Sequence, residues 1–330
     1  MTAKRISPTT RDNAGNRKPV LWVVIGILLG LVLLYASTRK VDADALIVTL
    51  SSADPRWALA LIVVVIGFTL LKTWRWQLLL RSMVNVKFGS LYSAIYIGLA
   101  VNFLIAHVGE FLRVAVIAGK NRASISAVFA TVVVERALDF LAFLVVIAVL
   151  SMFSSDLPEY VATAGYIAGA IVVIAIVGLY AFLHTPDWLL RLIEALSRPM
   201  SVGVRTWCAH QFELFRDGLV ALRDVRIMIA VLVVSVLQWL LIVAAIWASA
   251  LAVGESASIV ALVTTFVLIL VGLMLPNSPM QIGTTQLAFT IGLGTGGIMA
   301  TTAIAASLVY TMFLIIPVML AGGVCLLRNR

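Results

Sequence analysis

Apolar residues run through this chain in blocks of roughly twenty, the length needed to cross about 30 Å of hydrocarbon at 1.5 Å per residue. The blocks are Val20–Tyr35, Ala58–Leu80, Ile125–Leu150, Val161–Leu183, Ile227–Leu251 and Ile298–Leu327. A single chain in lipid must satisfy its own backbone hydrogen bonds, so each block predicts a helix. Two further apolar stretches are interrupted. Leu91–Ala118 is flanked by Lys87, Lys120 and Arg122 and is polar in its middle, from Asn102 to Arg113. Ile259–Ile291 carries Pro-Asn-Ser-Pro at Pro276–Pro279, and two prolines three apart interrupt a helix. Both stretches, near 91–118 and 259–291, predict a broken helix pair that enters and leaves the membrane on one face.

The fold class expected is therefore an all-α polytopic integral membrane protein, with about six spanning helices and two re-entrant pairs. Residues 1–18 are basic and polar and predict a disordered cytoplasmic tail. Residues 19–327 form one transmembrane domain, and 328–330 a cytoplasmic end. The loop Ser37–Arg56 is charge-balanced and belongs outside. Segment 185–226 is the one long hydrophilic stretch. Cys208, Phe212, Phe215, Leu219 and Leu222 recur in it at helical spacing, which predicts an amphipathic helix on the cytoplasmic interface or a partner-docking surface. Laid out span by span, the second half is the first turned over, an inverted repeat whose ligand site lies where the two breaks meet.

Composition confirms the class: 62% of residues are hydrophobic, 12% are charged, and the mean hydropathy is +1.10. The net charge of +9 is scattered over loops and tails, which indicates orientation and contact with anionic lipid and no nucleic-acid partner. Both termini fall in the cytoplasm of a bacterial-type inner membrane. Cys208 and Cys325 stand far apart and in no metal-ligand spacing, so neither a disulfide, a metal site nor a cofactor is expected.

Candidate chemistry is concentrated between Leu91 and Ala148. His107, Glu110, Arg113, Glu135, Arg136 and Asp139 sit at membrane depth, where an ionisable group costs about 2.5–3.5 kcal/mol on the most lenient scale. Glu135 and Asp139 are four apart, Arg136 and Asp139 three, and Glu110 and Arg113 three, so each set reaches one helix face. Arg75, in Leu-Lys-Thr-Trp-Arg-Trp, reads in two ways. Lys72 and Arg75 snorkel to headgroups beside a Trp74–Trp76 belt, or Arg75 turns inward. Turned inward, it gives three acids, Glu110, Glu135 and Asp139, against three arginines, Arg75, Arg113 and Arg136. Such a set either pins helices together or lends guanidinium groups to an anionic headgroup. In the second half Pro276, Asn277, Ser278, Pro279, Gln281, Gly283 and Gln286, with Thr284 and Thr285, supply neutral polar groups and a break. No Ser-His-Asp set, P-loop or His-Glu-x-x-His occurs, so no enzyme activity is expected.

Asn102 followed by Gly109-Glu110-x-x-Arg113, then Glu135-Arg136-x-x-Asp139, then Pro276-Asn-Ser-Pro-Met-Gln-Ile-Gly283, together resemble the flippase-like family that includes the transmembrane region of lysylphosphatidylglycerol synthase. Family members commonly have a proline near Ile105, Pro-Gly-Gly at Pro279–Gln281 and Glu at Gln286. The chain stops at Arg330, without the aminoacyl-transferase domain of full synthases. The resemblance implies a membrane domain that moves or presents a polar or anionic lipid. The alternatives are a secondary transporter of a small polar solute, and an accessory subunit or embedded transferase of an envelope lipid or glycan pathway. Partners expected are membrane lipids, and either a second copy of the chain or an envelope-biosynthesis protein.

Overall fold

The computed structural model describes residues 17–39, 41–105, 107–152, 220–274 and 279–328, with isolated positions between 153 and 219. Every described element is helical. They are α1 (Arg17–Thr38), α2 (Ala43–Ser51), α3 (Pro55–Leu80), α4 (Phe88–Leu104), α5 (Val108–Asn121), α6 (Ile125–Met152), α7 (Val225–Ala252), α8 (Ile259–Met274), α9 (Thr284–Gly294) and α10 (Ala300–Arg328). Short 3₁₀ turns occupy Val220–Arg223 and Pro279–Gln281. Among the described residues, α3, α7 and α10 are long and apolar enough to cross a membrane by length and composition. The span expected at Val161–Leu183 and most of segment 185–226 lie outside the described residues, as do 1–16 of the basic tail.

Helix starts follow local chemistry. Asp42, Asp54 and Asp224 stand just before α2, α3 and α7, and each carboxylate accepts a backbone N–H two residues on, at 2.9 Å. Pro55 then opens α3, where a missing N–H removes nothing. Asp42 is also the reason the loop expected over Ser37–Arg56 is in fact interrupted by α2. The apolar run Ala45–Leu50 follows that cap as a helix packed against α10, and its Ile47 and Val48 face outward.

Both predicted breaks are present as helical hairpins. α4 turns into α5 at Ile105–His107, with His107 in the left-handed region at φ 66°. α8 turns into α9 through Pro279–Gln281 and Gly283, the last at φ 90°, a conformation glycine adopts without strain. The arms of the first hairpin touch backbone to backbone. A Cβ built on Gly109 would fall 1.8 Å from the Gly98 carbonyl oxygen. Asn102 locks the same crossing, its Oδ1 accepting the Gly109 N–H at 2.7 Å and so serving a donor at the start of α5. Asn102→Ala is expected to lower stability by about 1 kcal/mol in thermal unfolding, the usual loss for one such cap.

The order long helix, hairpin, long helix occurs twice, as α3–(α4, α5)–α6 and α7–(α8, α9)–α10. Packing repeats with it. When α3 is exchanged with α7, α4 with α8, α5 with α9 and α6 with α10, each of the more extensive contacts among these eight helices maps onto one that is also made, the α3–α7 contact onto itself. α3 packs along α7 at the centre; α4 against α10 is matched by α8 against α6, and α3 against α10 by α7 against α6. Among the described residues the apolar core falls into several clusters. The two with the most residues gather Leu61, Ile246, Phe266, Phe289 and Tyr310 in one, and Trp76, Leu91, Ile95, Val114 and Ile117 in the other. The outer faces carry exposed Leu31, Leu59, Val63, Val233 and Leu320, the surface a lipid solvent favours.

Candidate functional site

The charged positions of α3, α5 and α6 converge on one cluster. Glu135 is fully buried and takes three cations: the Lys72 ammonium donates to its Oε1, Arg75 Nη2 lies 3.0 Å from the same oxygen, and Arg113 Nη2 donates to Oε2 at 2.8 Å. One turn along α6, Asp139 Oδ1 accepts from Arg75 Nη1 at 2.5 Å. The same Nη1 donates to the Ser235 hydroxyl at 2.7 Å, which ties α7 to the cluster. Arg113 also stacks over the Trp76 ring, 4.6 Å from its centre, and Trp76 Nε1 donates to Thr131 at 3.0 Å.

This geometry overturns the snorkelling alternative for Lys72, Arg75 and Trp76. All three are buried, and only Trp74 remains at the surface. A helix periodicity explains the split: residues 72, 75, 76 and 79 share the inward face of α3, while Trp74 lies on the other. Glu110 and Arg113, one turn apart on α5, take partners on α6 and not each other. Arg113 reaches across to Glu135, and Glu110 pairs with Arg136 at 2.5 Å. Arg136 lies 3.9 Å from Asp139, and 48% of its side chain is exposed, which makes it the most accessible cation of the set.

The cluster closes one end of a cavity of about 240 Å³. Lys72, Asn102, His107, Glu110, Arg136 and Asp139 are among its polar lining groups. Phe68, Phe103, Ile269, Leu273, Leu314 and Val318 are among its apolar walls. Arg75, Arg113 and Glu135 stand behind, holding the helices that present the lining groups. Of the second half-site, Gln281 reaches the cavity. Pro279 only opens the turn before it, Gly283 packs against Gly30 of α1, and buried Gln286 accepts the Gly283 N–H at 2.6 Å as a local cap. Pro276, Asn277 and Ser278 lie outside the described residues.

Gln238 and Trp239 of α7 line the same cavity and were missed in the sequence. The signal was present: an amide in the middle of the long apolar run of α7 is as conspicuous as Asn102. Lys72 is buried and not at the interface, where the neighbouring tryptophans predict it. Tyr310, deep in α10, completes the wall and packs 5.2 Å from Phe289.

Comparison with known proteins gives two findings. The sequence model of a family described as "Lysylphosphatidylglycerol synthase TM region" matches residues 23–322. A "UPF0104 membrane protein" of Methanothermobacter thermautotrophicus is 24% identical over 274 residues, covering 78% of this chain and 80% of the relative.

Proposed function

The chain belongs to the lysylphosphatidylglycerol synthase transmembrane-region family, and we propose that it binds a membrane lipid by its polar or anionic headgroup and carries that headgroup between leaflets. The observation that carries this reading is the two-sided cavity. Its lining joins the cations, carboxylates and amides of Lys72, Arg136, Glu110, Asp139, Asn102 and Gln238 to a wall that is otherwise mostly aromatic and aliphatic. An amphiphile matches both surfaces at once. A small polar solute would leave the apolar wall wet, which argues against a solute transporter.

Arg136 is the exchangeable group. Glu110 and Asp139 hold it when no headgroup is present, and its planar fork suits two oxygens of a phosphate. The carboxylates keep a cation at this depth affordable between binding events. The paired contacts of α3–α6 and α7–α10 support the further reading that the halves are inverted repeats, with the two hairpins re-entrant from opposite faces and the cavity between them. On this reading the protein is a carrier, not an enzyme, and the movement is passive or ion-coupled.

The test is leaflet exchange of fluorescent phospholipid in proteoliposomes. Arg136→Gln is expected to slow exchange about tenfold or more, the effect of losing a charge-assisted hydrogen-bond pair. Exchange at the parental rate, in a variant shown to be folded, would remove Arg136 from the site.

A further inference from the structure

The ion cluster is not balanced. Lys72, Arg75, Arg113 and Arg136 meet Glu110, Glu135 and Asp139, four cations to three carboxylates. The sequence alone offered three against three. The additional charge is Lys72, which both contacts Glu135 and lines the cavity. With all seven groups ionised, one positive charge is left over in a largely buried site. A buried charge without a counter-charge is strongly disfavoured, which favours an anion at the site.

A second observation lies on the facing helix. Gln238 is 2% exposed, and it and Trp239 line the cavity, yet Gln238 Oε1 and Trp239 Nε1 have no hydrogen-bond partner. Nearly all buried polar atoms in native proteins are partnered, and these two are a free acceptor and a free donor on residues that both line the cavity. Gln238 stands one helical turn beyond Ser235, which accepts from Arg75, so the unpartnered pair is adjacent to the charged end. Hydroxyl groups answer such a pair best, since each both donates and accepts.

We propose that the cavity selects a phosphodiester lipid of net charge −1 with a hydroxyl-bearing, uncharged headgroup. The phosphate offsets the Lys72 excess beside Arg136, and the hydroxyls meet Gln238 and Trp239. This rests on the lipid-carrier reading and sharpens it, because it excludes headgroups that bring net positive charge. An aminoacyl ester with two ammonium groups on one phosphate has net charge +1 and would raise the local excess instead of cancelling it.

The experiment measures binding and exchange separately. The full-length protein is reconstituted in phosphatidylcholine vesicles, and trace labelled phosphatidylglycerol, phosphatidylethanolamine and lysylphosphatidylglycerol are compared. Retention of each lipid on the purified protein is read by native mass spectrometry. Phosphatidylglycerol is expected to be preferred over the other two on the order of tenfold, the effect of one partly screened charge at contact range. Lys72→Gln should abolish that preference, whereas Glu110→Gln, which leaves an excess of two, should increase it. A purely structural role for either residue would not move the ratio in opposite directions. Gln238→Leu should lower phosphatidylglycerol retention several-fold while leaving the charge preference intact; if Lys72→Gln does not fold, the Glu110→Gln and Gln238→Leu ratios still decide.

Equal retention of all three lipids, or preference for lysylphosphatidylglycerol, overturns the proposal. Selective retention of phosphatidylglycerol without leaflet exchange upholds it and removes the translocation reading. Exchange of all lipids at one rate with no selective retention does the reverse. Displacement of phosphatidylglycerol by equimolar inorganic phosphate or glycerophosphoglycerol would overturn the assignment of the ligand as a lipid.

Discussion

Glu135→Gln is expected to lower the stability of the detergent-solubilised protein by about 3–5 kcal/mol, the range for breaking a buried charge network from one side. Glu135 is fully buried and meets Lys72, Arg75 and Arg113 from two other helices, α3 and α5. An amide in its place leaves three cations at close range with only Asp139 and Glu110 to oppose them. Thermal unfolding followed by circular dichroism measures the loss. Glu110→Gln provides the contrast: its partner Arg136 is half exposed, and solvent screens the change, so the shift should stay within about 1 kcal/mol. Adding Lys72→Met to Glu135→Gln should recover part of the loss, because it removes one of the stranded cations. Equal unfolding temperatures for Glu135→Gln and the parent would mean that the network contributes nothing to holding α6.

The second large effect is steric. Gly109→Ala is expected to destabilise by about 1–3 kcal/mol or more and to reduce lipid exchange with it. The added Cβ would meet the Gly98 carbonyl oxygen at 1.8 Å and Asn102 Oδ1 at 2.8 Å, so both the helix crossing and its lock must open. Glu110 and Arg113 follow in the same helix and would move away from Arg136 and Glu135. Gly119→Ala is the control within α5. A Cβ there meets nothing within 4 Å, and alanine is the better helix former, so the change is neutral or stabilising by up to about 1 kcal/mol. Unfolding temperature and exchange rate measured on both variants separate crowding at the hairpin crossing from a general effect on helicity. If Gly109→Ala behaves as Gly119→Ala does, the hairpin crossing is not tight.

Both hairpins were legible in the sequence because each has a local cause. A polar run at Asn102–Arg113 and a proline pair at Pro276–Pro279 are visible without knowing what they pack against. The glycine contacts inside the hairpins were not, since Gly98, Gly109 and Gly292 look like any membrane glycine until the partner backbone is placed. A close approach of two backbones is a property of the pair. The first half-site was likewise readable from the price of ionisable groups in hydrocarbon. Of the described residues of the second half-site, Gln281 lines the cavity, while Gln286 and Gly283 shape the turn.

Sequence by itself determined the class of the protein, the places where its helices break, and the membership of Glu110, Arg113, Glu135, Arg136 and Asp139 in one charged stretch. Those conclusions rest on hydropathy, proline chemistry and desolvation, which act locally along the chain. Tertiary structure alone decided who pairs with whom. It sent Arg113 to Glu135 and Glu110 to Arg136, drew Lys72 inward, and set the unpartnered Gln238 and Trp239 beside the charges. Helical spacing limits which residues share a face but not which face another helix offers in return. The sign of the site, one positive charge in excess, is therefore a property of how α3, α5 and α6 pack together.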